Sequence, residues 1–382
     1  MAQSKNQPNQ KLPLQGAGGR RIIISGGGTG GHIFPAIAIA NALKAIDPKT
    51  EILFVGAKGR MEMEKVPAAG YKIIGLDIQG IQRKSIWKNV LFPVKLLMSV
   101  REAVKIIKEF KPDAAVGVGG YASGPLLYAA SIRNVPYLIQ EQNSYAGITN
   151  KWLGAKAKKI CVAFDGMEKF FPFDRIIKTG NPIRRDSVNI AGKHMQALEL
   201  FKLSTFKKTV LITGGSLGAG TLNKSVMAGL EKLVAADVQV IWQTGKYYYK
   251  GIIEKLGEDY HPNIRITEFL SRMDLAYAAA DVIISRAGAG TIAELYLVKK
   301  PVILVPSPNV AEDHQTKNAL ALVQENAAIL VPDRDAETKL VDRVIELLND
   351  KDLQKKLSDN ISKMAMPDAD EIIAKEVFKL SR

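Results

Sequence analysis

A single cysteine, Cys161, stands in 382 residues, which rules out an intrachain disulfide and any cysteine-cluster metal site and fits a reducing compartment. Histidine is almost as scarce, with four in the chain and no HExxH or comparable ligand spacing, so no metal site is expected. No stretch reaches the roughly 18 uninterrupted apolar residues of a membrane span. Residues 1–20 are polar and rich in Gly and Pro, with no apolar core of a signal peptide, and are read as a flexible tail. Acidic residues are missing before Asp47, and the net charge of +15 asks for an anionic partner or a well-solvated basic surface. RNP-type aromatics, zinc-finger spacing and arginine-rich blocks are all absent. Nucleic acid is therefore not expected, and a phosphate-bearing substrate or an acidic membrane surface takes its place. What remains is a globular composition, 47% hydrophobic and 24% charged, long enough for two α/β domains.

Apolar runs of strand length, RIIIS (21–25), EILFVG (51–56), AAVGVG (114–119), PYLIQE (136–141) and KICVAF (159–164), alternate with glycine turns or helix-period segments. That alternation predicts a parallel sheet wrapped by helices. The pattern pauses over 171–186 at Pro172, Gly180 and Pro182, a break of linker type, and then restarts. TVLIT (209–213) runs into GGSLGAG (214–220) much as RIIIS runs into GGGTGG, and further strands are predicted at 238–243, 265–269, 281–285, 301–306 and 327–332. The fold class is α/β, with two Rossmann-like units whose parallel sheets face each other across a cleft and bind ligands at the strands' carboxyl ends. The expected division is 21–180 and 181–369, with a last helix of about 370–382 that packs back on the first unit.

SGGGTGGHIFPA (25–36) carries the first glycine loop. Glycine permits a sharp turn and close approach of backbone to a ligand, and the helix that follows offers free N–H groups to phosphate. Gly26, Gly28 and Gly31 satisfy GxGxxG, but the second strand ends in Gly56-Ala57-Lys58 without the acid that would hold a dinucleotide ribose. Neither glycine loop has the Lys-Ser/Thr ending of a Walker loop. His32 is then the notable residue. A lone histidine is ordinarily a cap or a packing residue, yet this one opens a helix beside a phosphate-type loop. There a helix amino terminus lowers its pKa and favours the neutral form that a general base needs.

Six segments occur in order: SGGGTGGHIFPAIAIANAL, QEQNSYAGITN (140–150), GNPIR (180–184), TGGSLGAG (213–220), SRAGAGTIAE (285–294) and EDHQTKNA (312–319). Together they resemble the MurG family of N-acetylglucosaminyltransferases, which make lipid II in peptidoglycan synthesis, and the likeness runs from about Arg21 to the last helix. The resemblance implies the GT-B fold and an inverting transfer of N-acetylglucosamine from UDP-N-acetylglucosamine to the carbon-4 hydroxyl of the muramoyl sugar of undecaprenyl-linked lipid I. It also implies work at the cytoplasmic face of the bacterial inner membrane, as a peripheral protein. For an in-line displacement His32 is the candidate base, with Glu141 as its orienter or as the alternative base. Arg184 and Ser216 are implied at the diphosphate, Glu294 at the ribose and Leu270, through backbone groups, at the uracil. Gln315 and Asn143 are implied at sugar hydroxyls and the N-acetyl group, and Thr29, Gly30 and Gly31 at the donor. The first loop suits the acceptor's pyrophosphate equally well. Taken singly, Asn143 and Ser216 could stabilise turns, Glu294 could be a first-turn helix acid and Gln315 a surface residue. No cofactor is implied, because Arg184 and a helix dipole can offset the charge on the leaving diphosphate.

The DxD strings Asp333-Arg334-Asp335 and Asp368-Ala369-Asp370 precede predicted helices and are expected to be caps. The segment 85–108 carries apolar residues on more than one helical face, with Lys88 and Lys95 among them. Trp87, Lys88, Leu91, Phe92 and Lys95 form a candidate patch for an anionic leaflet, against the alternative of a helix buried on two sides. A related GT-B enzyme acting on diacylglycerol, a non-catalytic nucleotide-sugar-binding protein and, less favoured, a dehydrogenase are the competing functions.

Overall fold

The computed structural model describes residues 19–78, 92–183, 185–215, 217–257 and 260–381. In the first half lie β1 (Arg21–Gly26), α1 (Gly30–Ile46), β2 (Glu51–Ala57), α2 (Glu62–Ala68), β3 (Lys72–Leu76), α3 (Phe92–Phe110), β4 (Ala114–Gly119), α4 (Ser123–Ile132), β5 (Tyr137–Glu141), α5 (Ile148–Gly154), β6 (Lys159–Val162) and β7 (Ile176–Lys178). The second half begins with α6 (His194–Leu200), β8 (Thr209–Thr213), α7 (Gly220–Ala235), β9 (Gln239–Gln243), α8 (Tyr249–Leu256), β10 (Ile264–Thr267) and α9 (Met273–Ala279). It continues through β11 (Val282–Ser285), α10 (Ala289–Val298), β12 (Val302–Leu304), α11 (His314–Gln324), β13 (Ile329–Leu330), α12 (Ala336–Asn349) and α13 (Lys351–Lys363). The last helix is α14 (Ala369–Leu380).

Among the described residues every strand pairing is parallel, and the two sheets run β3-β2-β1-β4-β5-β6-β7 and β10-β9-β8-β11-β12-β13. The second order repeats the first strand for strand, apart from β7. Both are the doubly wound order in which the chain reverses direction beside the first strand, between β1 and β4 and again between β8 and β11. Continuous apolar strands make this arrangement possible. Ile22, Ile23 and Ile24 are all fully buried, because a central parallel strand has helices over both faces. The sequence pause at 171–186 holds a seventh strand, β7, which pairs with β6. Its three residues are too short to stand out among Pro172, Gly180 and Pro182.

α14 leaves the second half and lies against α1 and the first sheet. Its Ile373, Ala374, Val377 and Phe378 share one core with Ile22, Ile24, Ile39 and Leu43. The two chain crossings between halves touch each other. Arg185 reaches Asp368 and Asp370 at 3.3 and 3.0 Å, and a Cβ on Gly180 would lie 2.7 Å from that of Met366. Asp368 and Asp370 are thus ion-pair partners, and Asp368, at the head of α14, makes no capping hydrogen bond with its side chain. The string Asp333-Arg334-Asp335 is corrected in the same way. Asp333 pairs with Arg286 and accepts the Thr221 hydroxyl at 2.9 Å, while Asp335 stands at the cap position of α12 with no side-chain capping bond, its carboxylate 3.5 Å from Lys339 Nζ.

In α3 the buried residues Ser99, Ala103, Ile106 and Ile107 form one stripe. Val94, Leu97 and Met98 form another, and they are 53%, 52% and 61% exposed. The exposed face continues through Arg101, Lys105 and Lys108. Burial of the helix on two sides is therefore not what the fold provides. Phe92 and Lys95 are half-buried, with Lys95 3.4 Å from Asp77. Trp87, Lys88 and Leu91 lie outside the described residues.

Candidate active site

Reversal of strand order beside β1 leaves a crevice at the carboxyl end of the sheet, and the first glycine loop occupies it. The Gly27 N–H donates to the Gly119 carbonyl at 3.2 Å, which ties this loop to the end of β4. Gly119 and Gly120 have φ of +101° and +93°, and a Cβ on Gly120 would lie 2.3 Å from the Gly27 oxygen. Only glycine satisfies both the left-handed backbone and that approach.

Thr29 caps α1 by position, with extended φ and ψ, but its hydroxyl turns toward His32 Nδ1 at 3.3 Å and caps no backbone N–H. The same Nδ1 lies 3.2 Å from the Gly27 carbonyl. The other side of the ring rests on Gly119, where a Cβ would come within 2.8 Å of Nε2. Burial lowers the pKa of His32 below that of a free imidazole. The Gly27 carbonyl opposes this, His314 at the start of α11 adds to it, and Glu62 opposes it again. The neutral form expected from sequence is therefore favoured, with burial and not the helix terminus as its main cause. Because His314 belongs to the second half, that half of the chain also acts on the charge state of His32.

Glu141 ends β5 and is 2% exposed. Oε1 accepts from the Asn143 backbone N–H at 3.0 Å and from its side-chain amide at 3.4 Å. Oε2 accepts from the Gly147 N–H at 3.0 Å and from the Asn150 amide at 2.8 Å. The expectation that Glu141 orients the His32 ring is thereby corrected: both of its oxygens are engaged in folding the 141–150 loop on itself. Burial raises its pKa, and the four donors counter that rise.

This loop meets the second half directly. Asn318, fully buried on α11, accepts the Ser144 N–H and hydroxyl at 2.9 and 3.0 Å and donates to Asn143 Oδ1 at 3.2 Å. Asn181 donates to the Gln142 carbonyl at 3.0 Å and to the Ala289 carbonyl at 3.4 Å. Lys317 sits over the Tyr145 ring, 3.3 Å from its centre. Immediately before α11, Glu312 and Asp313 are both left-handed, with φ of 57° and 51°. Such strain in non-glycine residues is maintained only where the surroundings enforce it.

On the second side, Glu294 in α10 accepts the Tyr277 hydroxyl at 2.9 Å and the Ser187 hydroxyl at 3.4 Å. Burial, and then the Glu294 charge, push the Tyr277 pKa far up, so the phenol remains a donor. Gln315 turns its amide oxygen to the Ser307 N–H at 2.8 Å, which leaves the Nε2 donors uncommitted among the described residues. Leu270 packs its side chain into the core of the second half, so a ligand there would meet its backbone. Thr29, Gly30 and Gly31 stand together at the head of α1, and Gly31 is exposed. Arg184 and Ser216 lie outside the described residues. The structure thus gathers Thr29, His32, Glu141 and Asn143 on the first side with Gln315, His314 and Asn318 on the second. His314, Asn318 and Asn181 fall inside the six motifs, where nothing in the local sequence sets them apart from their neighbours. Glu62 belongs to no motif, and no local signal marks it.

Comparison with known proteins adds the following. Residues 22–162 match the glycosyltransferase family 28 N-terminal domain and residues 209–373 the glycosyltransferase family 28 C-terminal domain. A protein of Bacteroides thetaiotaomicron named UDP-N-acetylglucosamine--N-acetylmuramyl-(pentapeptide) pyrophosphoryl-undecaprenol N-acetylglucosamine transferase is 59% identical over 365 residues, covering 94% of this chain and 98% of its own. A protein of Flavobacterium psychrophilum with the same name is 52% identical over 365 residues, covering 94% of this chain and 97% of its own. The crystal structure of Acinetobacter baumannii MurG superposes with a TM-score of 0.76 at 28% identity, covering 94% of this chain and 99% of that one.

Proposed function

The chain belongs to glycosyltransferase family 28, and from that membership we infer that it transfers N-acetylglucosamine from UDP-N-acetylglucosamine to the carbon-4 hydroxyl of the muramoyl sugar of undecaprenyl-pyrophosphate-linked pentapeptide. One observation carries this reading: 59% identity, over nearly the whole of both chains, to a protein named for that transfer. The diacylglycerol enzyme, the non-catalytic binder and the dehydrogenase have no comparable support.

In this reading the acceptor hydroxyl gives its proton to His32 Nε2 as its oxygen attacks the anomeric carbon. The bond from that carbon to the UDP oxygen breaks on the opposite face, so the configuration inverts and UDP leaves. A half-buried, neutral imidazole with Nδ1 already partnered is suited to the task. Arg184 and Ser216 would meet the diphosphate, Glu294 the ribose hydroxyls, Leu270 the uracil through its backbone, and Gln315 and Asn143 the sugar. Thr29, Gly30 and Gly31 would approach the donor or the acceptor's pyrophosphate with backbone N–H groups. Glu141 serves as the organiser of the Asn143 loop.

No helix among the described residues is long and apolar enough to cross a membrane. An acceptor with an undecaprenyl chain nevertheless has to be reached at a bilayer. The exposed Val94, Leu97 and Met98, followed by Arg101, Lys105 and Lys108, supply an apolar face with basic neighbours for an anionic leaflet. Incubation with labelled UDP-N-acetylglucosamine and a lipid I analogue tests the whole reading. The expected product carries one added N-acetylhexosamine by mass spectrometry. Hydrolysis of the donor without transfer, or no turnover, would overturn it.

A further inference from the structure

Glu62, the first residue of α2, is 1% exposed and, among the described residues, has no cationic partner. Its carboxylate faces backbone instead: Oε1 accepts the Ala57 N–H at 3.0 Å and Oε2 the Gly28 N–H at 2.9 Å. A carboxylate buried without a counter-charge carries a desolvation cost that two neutral donors only partly offset. Its position explains what that cost achieves.

The Gly28 N–H belongs to the same planar peptide unit as the Gly27 carbonyl, and in a trans unit the two bonds point in opposite directions. Glu62 holds the N–H edge, and His32 Nδ1 lies 3.2 Å from the carbonyl at the other edge. A Gly–Gly peptide lacks the side chains that would bar its rotation, so other contacts must hold it. Rotation here would turn the carbonyl oxygen toward the carboxylate, anion against dipole end, and present an N–H to the imidazole. Glu62 selects against that state. Space is closed around it as well: a Cβ on Gly27 would come within 2.2 Å of Glu62 Oε1.

A carbonyl oxygen only accepts, so the nitrogen facing it carries the hydrogen, and the lone pair is left on the other nitrogen. We propose that Glu62 is a positioning residue that acts through the Gly27–Gly28 peptide to fix His32 as its Nδ1–H tautomer, keeping the Nε2 lone pair for the acceptor's proton. This proposal rests on the reading of His32 as the base.

The test is nitrogen-15 NMR of the full chain labelled at histidine, with His32→Asn used to assign the His32 signals among the four histidines. In the unmodified protein His32 should show a protonated Nδ1 and an unprotonated Nε2 at pH 7.5; a protonated Nε2 would overturn the proposal without any further variant. Glu62→Gln should give a mixture of both tautomers and lower kcat about ten- to a hundredfold, less than the full general-base contribution of about 10²–10⁴, with donor KM within about threefold. A folded Glu62→Gln protein that keeps the single Nδ1–H tautomer would overturn it too. Normal turnover by His32→Asn would instead remove the base assignment, and the tautomer result would still decide the role of Glu62 on the ring.

Discussion

Asn318 donates from Nδ2 to Asn143 Oδ1 at 3.2 Å, so a side chain of the second half completes the loop that Glu141 folds in the first. Its Oδ1 also takes two donors from Ser144. Asn318→Ala should leave those donors unpaired in a buried site, at a cost of about 1–3 kcal/mol. Thermal unfolding should show the loss, and kcat should fall as Asn143 loses its support. An unchanged melting temperature would mean that the two halves do not need this contact.

His32→Ala should reduce kcat by about 10²–10⁴ while leaving UDP-N-acetylglucosamine affinity within about threefold, as expected of a group that acts in the transition state. Steady-state kinetics against both substrates, with calorimetric titration of the donor, separates the two effects. A rise in donor KM at constant kcat would assign His32 to binding.

The acid side of the pH profile follows from the same ring. Burial holds the pKa of His32 in the folded protein below the ordinary value of 6.5, so the unfolded chain binds the proton more readily. The neutral ring persists down to that lowered value, and kcat/KM should begin to fall only below pH 6.5. Between the two values the unfolded state carries more protons, so the contribution of His32 to stability is lost as pH falls below 6.5 and is restored as pH rises. An activity limb above that value would place a different group in control.

The parts of this arrangement that sequence made legible are those written locally. Ile22 to Ile24 read as a strand of a parallel sheet because both faces of such a sheet are apolar, and the loop after them reads as a phosphate cradle because glycine clusters where backbone must approach something. Contacts between distant segments left no such mark. Nothing near Glu62 indicates that its carboxylate reaches Gly28, and nothing near Glu141 shows that Asn143, Gly147 and Asn150 all turn back on it. Asp333 reads as a cap because it precedes a helix. Its partner Arg286 lies on a different loop, beyond the reach of any local pattern.

Glu141→Gln distinguishes a loop organiser from a base. Glutamine retains one acceptor oxygen but places an NH₂ group against backbone and amide donors, which should destabilise the protein by about 1–3 kcal/mol. Lower activity should therefore come with a lower melting temperature. Lost turnover at full thermal stability would return Glu141 to the role of alternative base.

The exposed stripe of α3 is tested by the double substitution Leu97→Glu and Met98→Glu. Co-sedimentation with vesicles of anionic phospholipid should weaken at least about tenfold, because two apolar contacts are replaced by charges that the leaflet repels. Activity on a short-chain, water-soluble acceptor should stay within about twofold. Equal binding by the parent and the double variant would move the membrane contact elsewhere.

The two chain crossings lie side by side, held by Arg185 with Asp370 and by Gly180 against Met366. A pair of adjacent ties works like pins set along one edge of a lid: it resists sliding and twisting and leaves swinging about that edge as the soft motion. Swinging about that edge would have to break the Asn318 bonds to Ser144 and Asn143, and it would widen the side opposite the ties without disturbing either sheet. Removing α14 would take away the Asp370 partner of Arg185 and strip α1 of its cover together, so one tie between the halves and the integrity of the first core would be lost in one step.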